Sequence, residues 1–234
     1  METEQEWRRA IERTWVVRFP RQNLATFGST NVAYYIVTEP IYQELDSNKQ
    51  EGVVRTGRVI AERPTVVTPT YAMNLQGFSS EAYEYFEHLA RQSGPNIPGI
   101  LYQYKNEVGT MEIVSGLASE IAHRIRDDLD RRKEDLSVVM VGVDELWDVA
   151  LLKFIYEFTS SSLAGNINEF QGRGMLEPQP EFGGVPRVAI QRIDRLFGEV
   201  DRDGSHEELK RELDRWGLFD FYQDRFLRLF RRRP

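Results

Sequence analysis

A chain of 234 residues, 41% hydrophobic and 12% aromatic, has room for one large domain or two small ones and can bury a core without covalent staples. Cysteine is absent, which excludes disulfides, thiolate metal sites and thiol nucleophiles and fits a reducing cytosol. The net charge of −7 argues against a general nucleic-acid coat, the charged opening Met1 to Arg9 lacks the apolar segment of a signal peptide, and no apolar run reaches the roughly 18 residues of a membrane span, so a soluble, cytoplasmic protein is expected.

Residues 6–13 read as a short amphipathic helix and Trp15 to Phe19 as a strand closed by Pro20. Asn31 to Thr38 is dense in β-branched and aromatic residues on both faces, the mark of a strand buried on two sides. After the polar loop Asp46 to Gly52, Val53 to Ile60 reads as two strands about a Thr56-Gly57 turn, and the prolines at 64 and 69 confine Thr65 to Thr68 to a sheet edge. Ser79 or Ser80 caps a helix over 79–90 that is expected to pack on the sheet. Two further strands, Ile100 to Lys105 and Thr110 to Val114, are separated by Asn106 to Gly109.

Beyond residue 115 the pattern turns helical. Leu117, Ile121, Ile125 and Leu129 recur every fourth residue opposite a charged face. Ser137 to Gly142 fits a short strand or a helix start equally well. Residues 144–160 carry apolar side chains round most of a helix, and Asn166 with Glu169 matches a capping box for a separate short helix. The segment 177–185 is the best linker candidate, Pro186 opens an amphipathic helix, and Ser205 to Glu208 caps the next, which Gly217 stops. The expected fold is therefore α+β: a mainly antiparallel sheet in the N-terminal half with one packed helix, then an all-helical C-terminal half sharing the core. The corresponding division is a β-rich subdomain over 1–115 and a helical one over 116–234.

Chemistry is sparsely marked. Asp201 to Glu208 resembles part of a calcium loop, but setting Gly204 at its required sixth position puts Lys210 where a bidentate glutamate belongs, so it reads as a capped turn. Glu120 and His123 have the i, i+3 spacing of carboxylate-bridged metal bundles without a second such pair, and with His88 they read as helix-surface residues. No phosphate loop, dinucleotide turn, nucleophile elbow or zinc-protease pair occurs, so no cofactor and no metal are expected and no catalytic residue is nominated. Among possible paired carboxylates, Asp144, Glu145 and Asp148 beside Trp147 are the least arbitrary, with helix capping as the plainer reading.

Two features ask for a partner. Tyr102 and Tyr104 share a strand face that could stack bases or a peptide if exposed, the simpler alternative being that they cover the sheet beneath helix 79–90. The terminal helix carries an apolar stripe of Leu218, Tyr222, Phe226 and Phe230, and from Trp216 onward five arginines face two aspartates, a local charge of +3. Either the helix docks and its arginines complement its dipole, or Arg228, Arg231, Arg232 and Arg233 stay free for phosphate, an acidic protein or, as the weakest of the three, an anionic membrane surface. The expected function is a non-enzymatic binding or assembly module with a protein partner or self-association. Its alternatives are a cofactor-independent enzyme with paired carboxylates and RNA or other nucleic-acid contact through the arginine-rich helix.

Overall fold

Alternating burial along Thr30–Glu39 and unbroken burial from Ser137 to Val141 mark two strands enclosed to different degrees, and these two pair in parallel inside one sheet. A computed structural model describes residues 8–40, 50–73, 84, 87–88, 90–92, 94, 96–203 and 206–231, with residues 201–203 and 231 described by backbone alone. The first elements in the chain are α1 (residues 8–12), β1 (Trp15–Arg18), β2 (Thr30–Glu39), β3 (Glu51–Ala61), β4 (Thr65–Val67), α2 (Pro69–Met73) and α3 (helical at 84, 87–88 and 90–92). There follow β5 (Gly99–Leu101), β6 (Tyr104–Ser115), α4 (Ala118–Arg132), β7 (Ser137–Val143) and α5 (Trp147–Gly172). The chain ends with β8 (Pro178–Gln179), β9 (Val185–Pro186), α6 (Arg187–Asp203), α7 (His206–Arg215) and α8 (Phe219–Arg231). These elements form two compact units, Met1–Pro64 with Tyr102–Asn166, and Thr65–Leu101 with Ile167–Pro234.

The first unit is built on a five-stranded sheet in the order β1-β7-β2-β3-β6. The fold is α+β as expected, and the sheet is antiparallel at β1–β7, β2–β3 and β3–β6 but parallel at β2–β7. Period-2 alternation sends Val32, Tyr34, Ile36, Val138 and Met140 to one face, where Ala150, Leu151, Phe154 and Phe158 of α5 cover them. Val37, Val139 and Val141 go to the other, beneath Ala118, Ile121, Ala122 and Leu129 of α4. Each of the larger side chains among these, Val, Ile, Leu, Met or Phe, contributes roughly 1.5–3 kcal/mol when fully buried, which holds both helices on the sheet.

A buried arginine ties β1 to the turn between α4 and β7. Arg18 donates from Nε to Asp130 Oδ1 at 2.8 Å, from Nη1 to the carbonyl of Ser137 at 2.6 Å and from Nη2 to the carbonyl of Glu134 at 2.8 Å. Its guanidinium thus bonds carbonyls of the turn after α4 and of the first residue of β7, the former also accepting from Ser137 Oγ at 2.8 Å.

Several local expectations are corrected. Thr56-Gly57 is no turn: β3 runs through it, and Gly57 is needed because a Cβ there would meet the Tyr34 hydroxyl and come within 2.6 Å of the Glu107 carbonyl oxygen. Asn106 to Gly109 is likewise inside β6, where Gly109 and Thr110 together oppose Thr56 between the pairs Arg55↔Met111 and Gly57↔Val108, forming a bulge. Asn166 caps no new helix. It is buried mid-α5, donating to Tyr102 Oη at 3.0 Å and accepting from Thr26 Oγ1 at 3.1 Å, so tertiary hydrogen bonds replace the local cap. The helices on the sheet are α4 and α5, whereas α3 belongs to the second unit and the expected caps at Ser79 and Ser80 lie outside the described residues.

The second unit has its own core, in which Tyr71 of α2 meets Ala189, Ile193 and Phe197 of α6, Leu209 and Leu213 of α7, and Trp216, Leu218 and Phe226. Core sharing by the C-terminal helices therefore holds for α4 and α5, while α6, α7 and α8 enclose a separate one. The stretch 177–185 carries β8, a 3-10 turn at Pro180–Phe182 and the start of β9, with Asn96 Nδ2 donating to the Gly183 carbonyl at 2.7 Å. Gly217 ends α7 with φ of 65°.

Candidate functional site

Because β6 is last in the strand order, its twelve residues pair with β3 on one side only, and among the described residues no strand pairs with the other. Alternate N–H and C=O groups of an antiparallel edge point away from the sheet, so this side presents a row of donors and acceptors not paired with another described strand. Opposed residues share a face, and since Arg55 lies opposite Ile36 of the α5 core, its partner Met111 faces the α5 side, as do Ile113 opposite Val53 and Val108 opposite Gly57. These three apolar side chains are 68% (Val108), 64% (Met111) and 60% (Ile113) exposed.

The two halves of the strand differ. Before the bulge, Lys105 Nζ lies 2.8 Å from Glu107 Oε1, and the pair raises the lysine pKa and lowers that of the glutamate. Charges and a bulge are the devices by which natural edges resist pairing. After the bulge, Met111 and Ile113 stand beside an ordered polar knot on the same face. Arg55 Nη1 donates to Asp144 Oδ1 at 2.6 Å and to Thr38 Oγ1 at 2.9 Å, Thr38 Oγ1 donates to the same carboxylate oxygen at 2.6 Å, and the guanidinium lies 5.9 Å from the Trp147 ring centroid. The knot joins β2, β3 and the turn between β7 and α5.

The sequence candidates are scattered over the molecule. Tyr102 and Tyr104 are half-buried against the α5 core, their hydroxyls bonded to Asn166 and Thr159, and burial pushes both phenols up. Among the described residues the helix they meet is α5, while most of the 79–90 segment lies outside the described residues. Asp144 turns into the knot with Arg55 while Glu145 and Asp148 are exposed, so the three acids do not converge. Glu120, His123 and His88 are exposed, His123 Nδ1 lying 2.6 Å from the Ser119 carbonyl oxygen of its own helix. Among the described residues no group of three or more His, Asp or Glu is placed to hold a metal ion. Gly204 and Ser205 of the calcium-like turn lie outside the described residues.

Helix α8 is docked through Leu218, Tyr222, Phe226 and Leu229, with Arg225 over the Phe197 ring at 4.1 Å and bonded to Asp194 Oδ1 at 2.6 Å. Phe230, expected in the buried stripe, is 54% exposed and stacks on His206 at 4.5 Å. Arg228 is exposed, Arg231 ends α8, and Arg232 and Arg233 lie outside the described residues.

The second unit also holds a polar cluster that sequence pattern did not single out. Glu212 is 1% exposed, accepts from Trp216 Nε1 at 3.0 Å and lies 3.5 Å from Arg192 Nε and 3.9 Å from Arg215 Nη1. Arg215 also donates to Tyr71 Oη at 3.3 Å, and burial followed by the Glu212 charge raises the Tyr71 pKa. Every group here is engaged by another, which suits a cross-link between helices. Comparison with family models, curated proteins and solved structures gives no match. No described helix is long and apolar enough to cross a membrane.

Proposed function

We propose that this protein is a binding or assembly module that takes up an extended protein segment by strand addition to the C-terminal half of β6, working in the cytoplasm. The supporting observation is the open edge itself: among the described residues no strand pairs with the outer side of residues 111–114, which carry the exposed Met111 and Ile113. Main-chain hydrogen bonds give such an added strand its affinity, and pockets or apolar contacts for alternate side chains give its specificity. Covering these two side chains contributes roughly 1–2 kcal/mol each. The absence of cysteine suits the cytoplasmic setting.

The test is selection of extended peptides from a random display library on the wild-type protein, with a Met111→Lys, Ile113→Lys double variant as counter-screen. Peptides of alternating apolar pattern should emerge, should shift the backbone amide signals of residues 110–115, and should lose binding to the variant. Peptides that bind both proteins equally, or an empty selection, would refute the reading. Sedimentation across a concentration range separates one further outcome: a dimer abolished by the same variant puts a second copy of the chain on the edge.

A further inference from the structure

We propose a second site, on the opposite face of the sheet, for a small amphipathic anion: a molecule with one carboxylate, sulfonate or phosphate head and an apolar body. Helix α4 covers β7 and β2, and the sheet continues past it into β3 and β6, leaving a trough of about 470 Å³ between helix and outer strands. That volume lies within the range of small-molecule sites. Its apolar surface comes from Val54, Val114, Ile121 and Ile125, with Tyr35 also lining it. Water over such a floor finds few partners, so displacement by an apolar body is favourable.

The rim decides the sign of the ligand's charge. Asp128 is already held, its Oδ2 2.7 Å from Arg132 Nη2 and its Oδ1 3.2 Å from Arg131 Nη2. Arg124, one turn earlier on the same face of α4, makes a single long hydrogen bond of 3.3 Å to the Ser115 carbonyl, and among the described residues no carboxylate lies within ion-pair distance of it. A guanidinium has five N–H donors, so Arg124 keeps the fork that binds a carboxylate or sulfonate through two parallel bonds. Glu112 lines the strand side of the trough and repels an anionic head from there, which leaves the helix side for the head and the floor for the body. This site lies on the opposite face from the apolar side chains of the open edge: Val54, Glu112 and Val114 share the α4 face, while Met111 and Ile113 are on the α5 face.

The probe is 8-anilinonaphthalene-1-sulfonate, titrated into the full chain by fluorescence and by methyl NMR, beside neutral N-phenyl-1-naphthylamine, which has the same rings and no sulfonate. The anion should bind saturably at one site, shift the methyl signals of Val54, Val114, Ile121 and Ile125, and bind about tenfold more weakly to Arg124→Gln. The neutral probe should bind both proteins alike. Arg124 is exposed, so its replacement leaves the fold intact, and an unchanged circular dichroism spectrum checks this. The proposal is overturned by non-saturable binding, by methyl shifts elsewhere, by equal affinity of the anion for both proteins, or by equal loss of both probes in the variant.

Discussion

Replacing Glu212 isolates the clearest electrostatic commitment in the molecule. The carboxylate is 1% exposed, so the cluster must supply what water no longer does. Its bond from Trp216 Nε1 at 3.0 Å is charge-assisted and worth roughly 1.5–3 kcal/mol. The approaches of Arg192 and Arg215, at 3.5 and 3.9 Å, are longer and involve side chains 31% and 34% exposed, so solvent screening reduces each to about 0.5–1 kcal/mol. Glu212→Ala also empties volume among Leu209, Leu213 and Trp216, and the whole change should cost about 3–5 kcal/mol. Glu212→Gln keeps the shape and the acceptor for Trp216 and removes only the charge, for about 1–2 kcal/mol. Urea unfolding followed by tryptophan fluorescence gives the stability, and hydrogen exchange along α7 assigns the loss to the second unit. A Glu212→Ala cost below about 1 kcal/mol, or equal costs for both variants, would refute the partition into hydrogen bond and charge.

Three further outcomes are expected besides those of the two proposed sites. The hydrogen bond from Arg18, helped by the charges of Arg18, Arg21 and Arg126, holds the Asp130 carboxyl below its ordinary value. Its stabilising contribution is therefore complete above the unfolded carboxyl pKa of roughly 3.9 and lost as pH falls through the lower folded value, so the Tm gap between wild type and Asp130→Asn should close in acid and stay constant near neutrality. Gly57→Ala should cost about 1–3 kcal/mol in chemical denaturation, because the new methyl meets the Glu107 carbonyl oxygen at 2.6 Å; a neutral result would show that β3 and β6 can part there. Asn166→Ala strands the hydroxyls of Thr26 and Tyr102 inside the first unit and should lower stability by about 1–3 kcal/mol, whereas a surface-like effect under about 0.5 kcal/mol would mean that water replaces the amide.

Element type was legible wherever one physical period dominated a segment. The fourfold recurrence from Leu117 to Leu129 became α4, and the two-sided apolar run around Tyr34 became a strand whose burial alternates as far as Tyr35 and is continuous only over Ile36 to Thr38. Errors clustered at glycine and asparagine. Gly57 and Gly109 have the composition of turns, yet one makes room for the Tyr34 ring and the other sits in a bulge. Asn166 has the composition of a cap, yet its amide is spent on residues 140 and 64 positions away. Small and polar residues serve local turns and long-range contacts equally well, and only the folded chain chooses between the two.

The candidate sites divide in the same way. Docking of α8 was readable as one alternative from its i, i+4 aromatic stripe, because amphipathicity is a property of the segment itself. That β6 is an edge was not readable. Val108, Met111 and Ile113 look like any half-buried strand until the order β1-β7-β2-β3-β6 leaves them, among the described residues, with a neighbouring strand on one side only, and that order places β7, from the far side of α4, between β1 and β2. The trough beside α4 arises in the same way, from a helix that covers only part of the sheet beneath it. By itself the sequence determined the fold class and the faces of its helices and strands, since periodicity and propensity act over a few residues. Strand order, the open edge, the trough and the Glu212 cluster were decided by tertiary structure alone, because each depends on which distant segments bury one another.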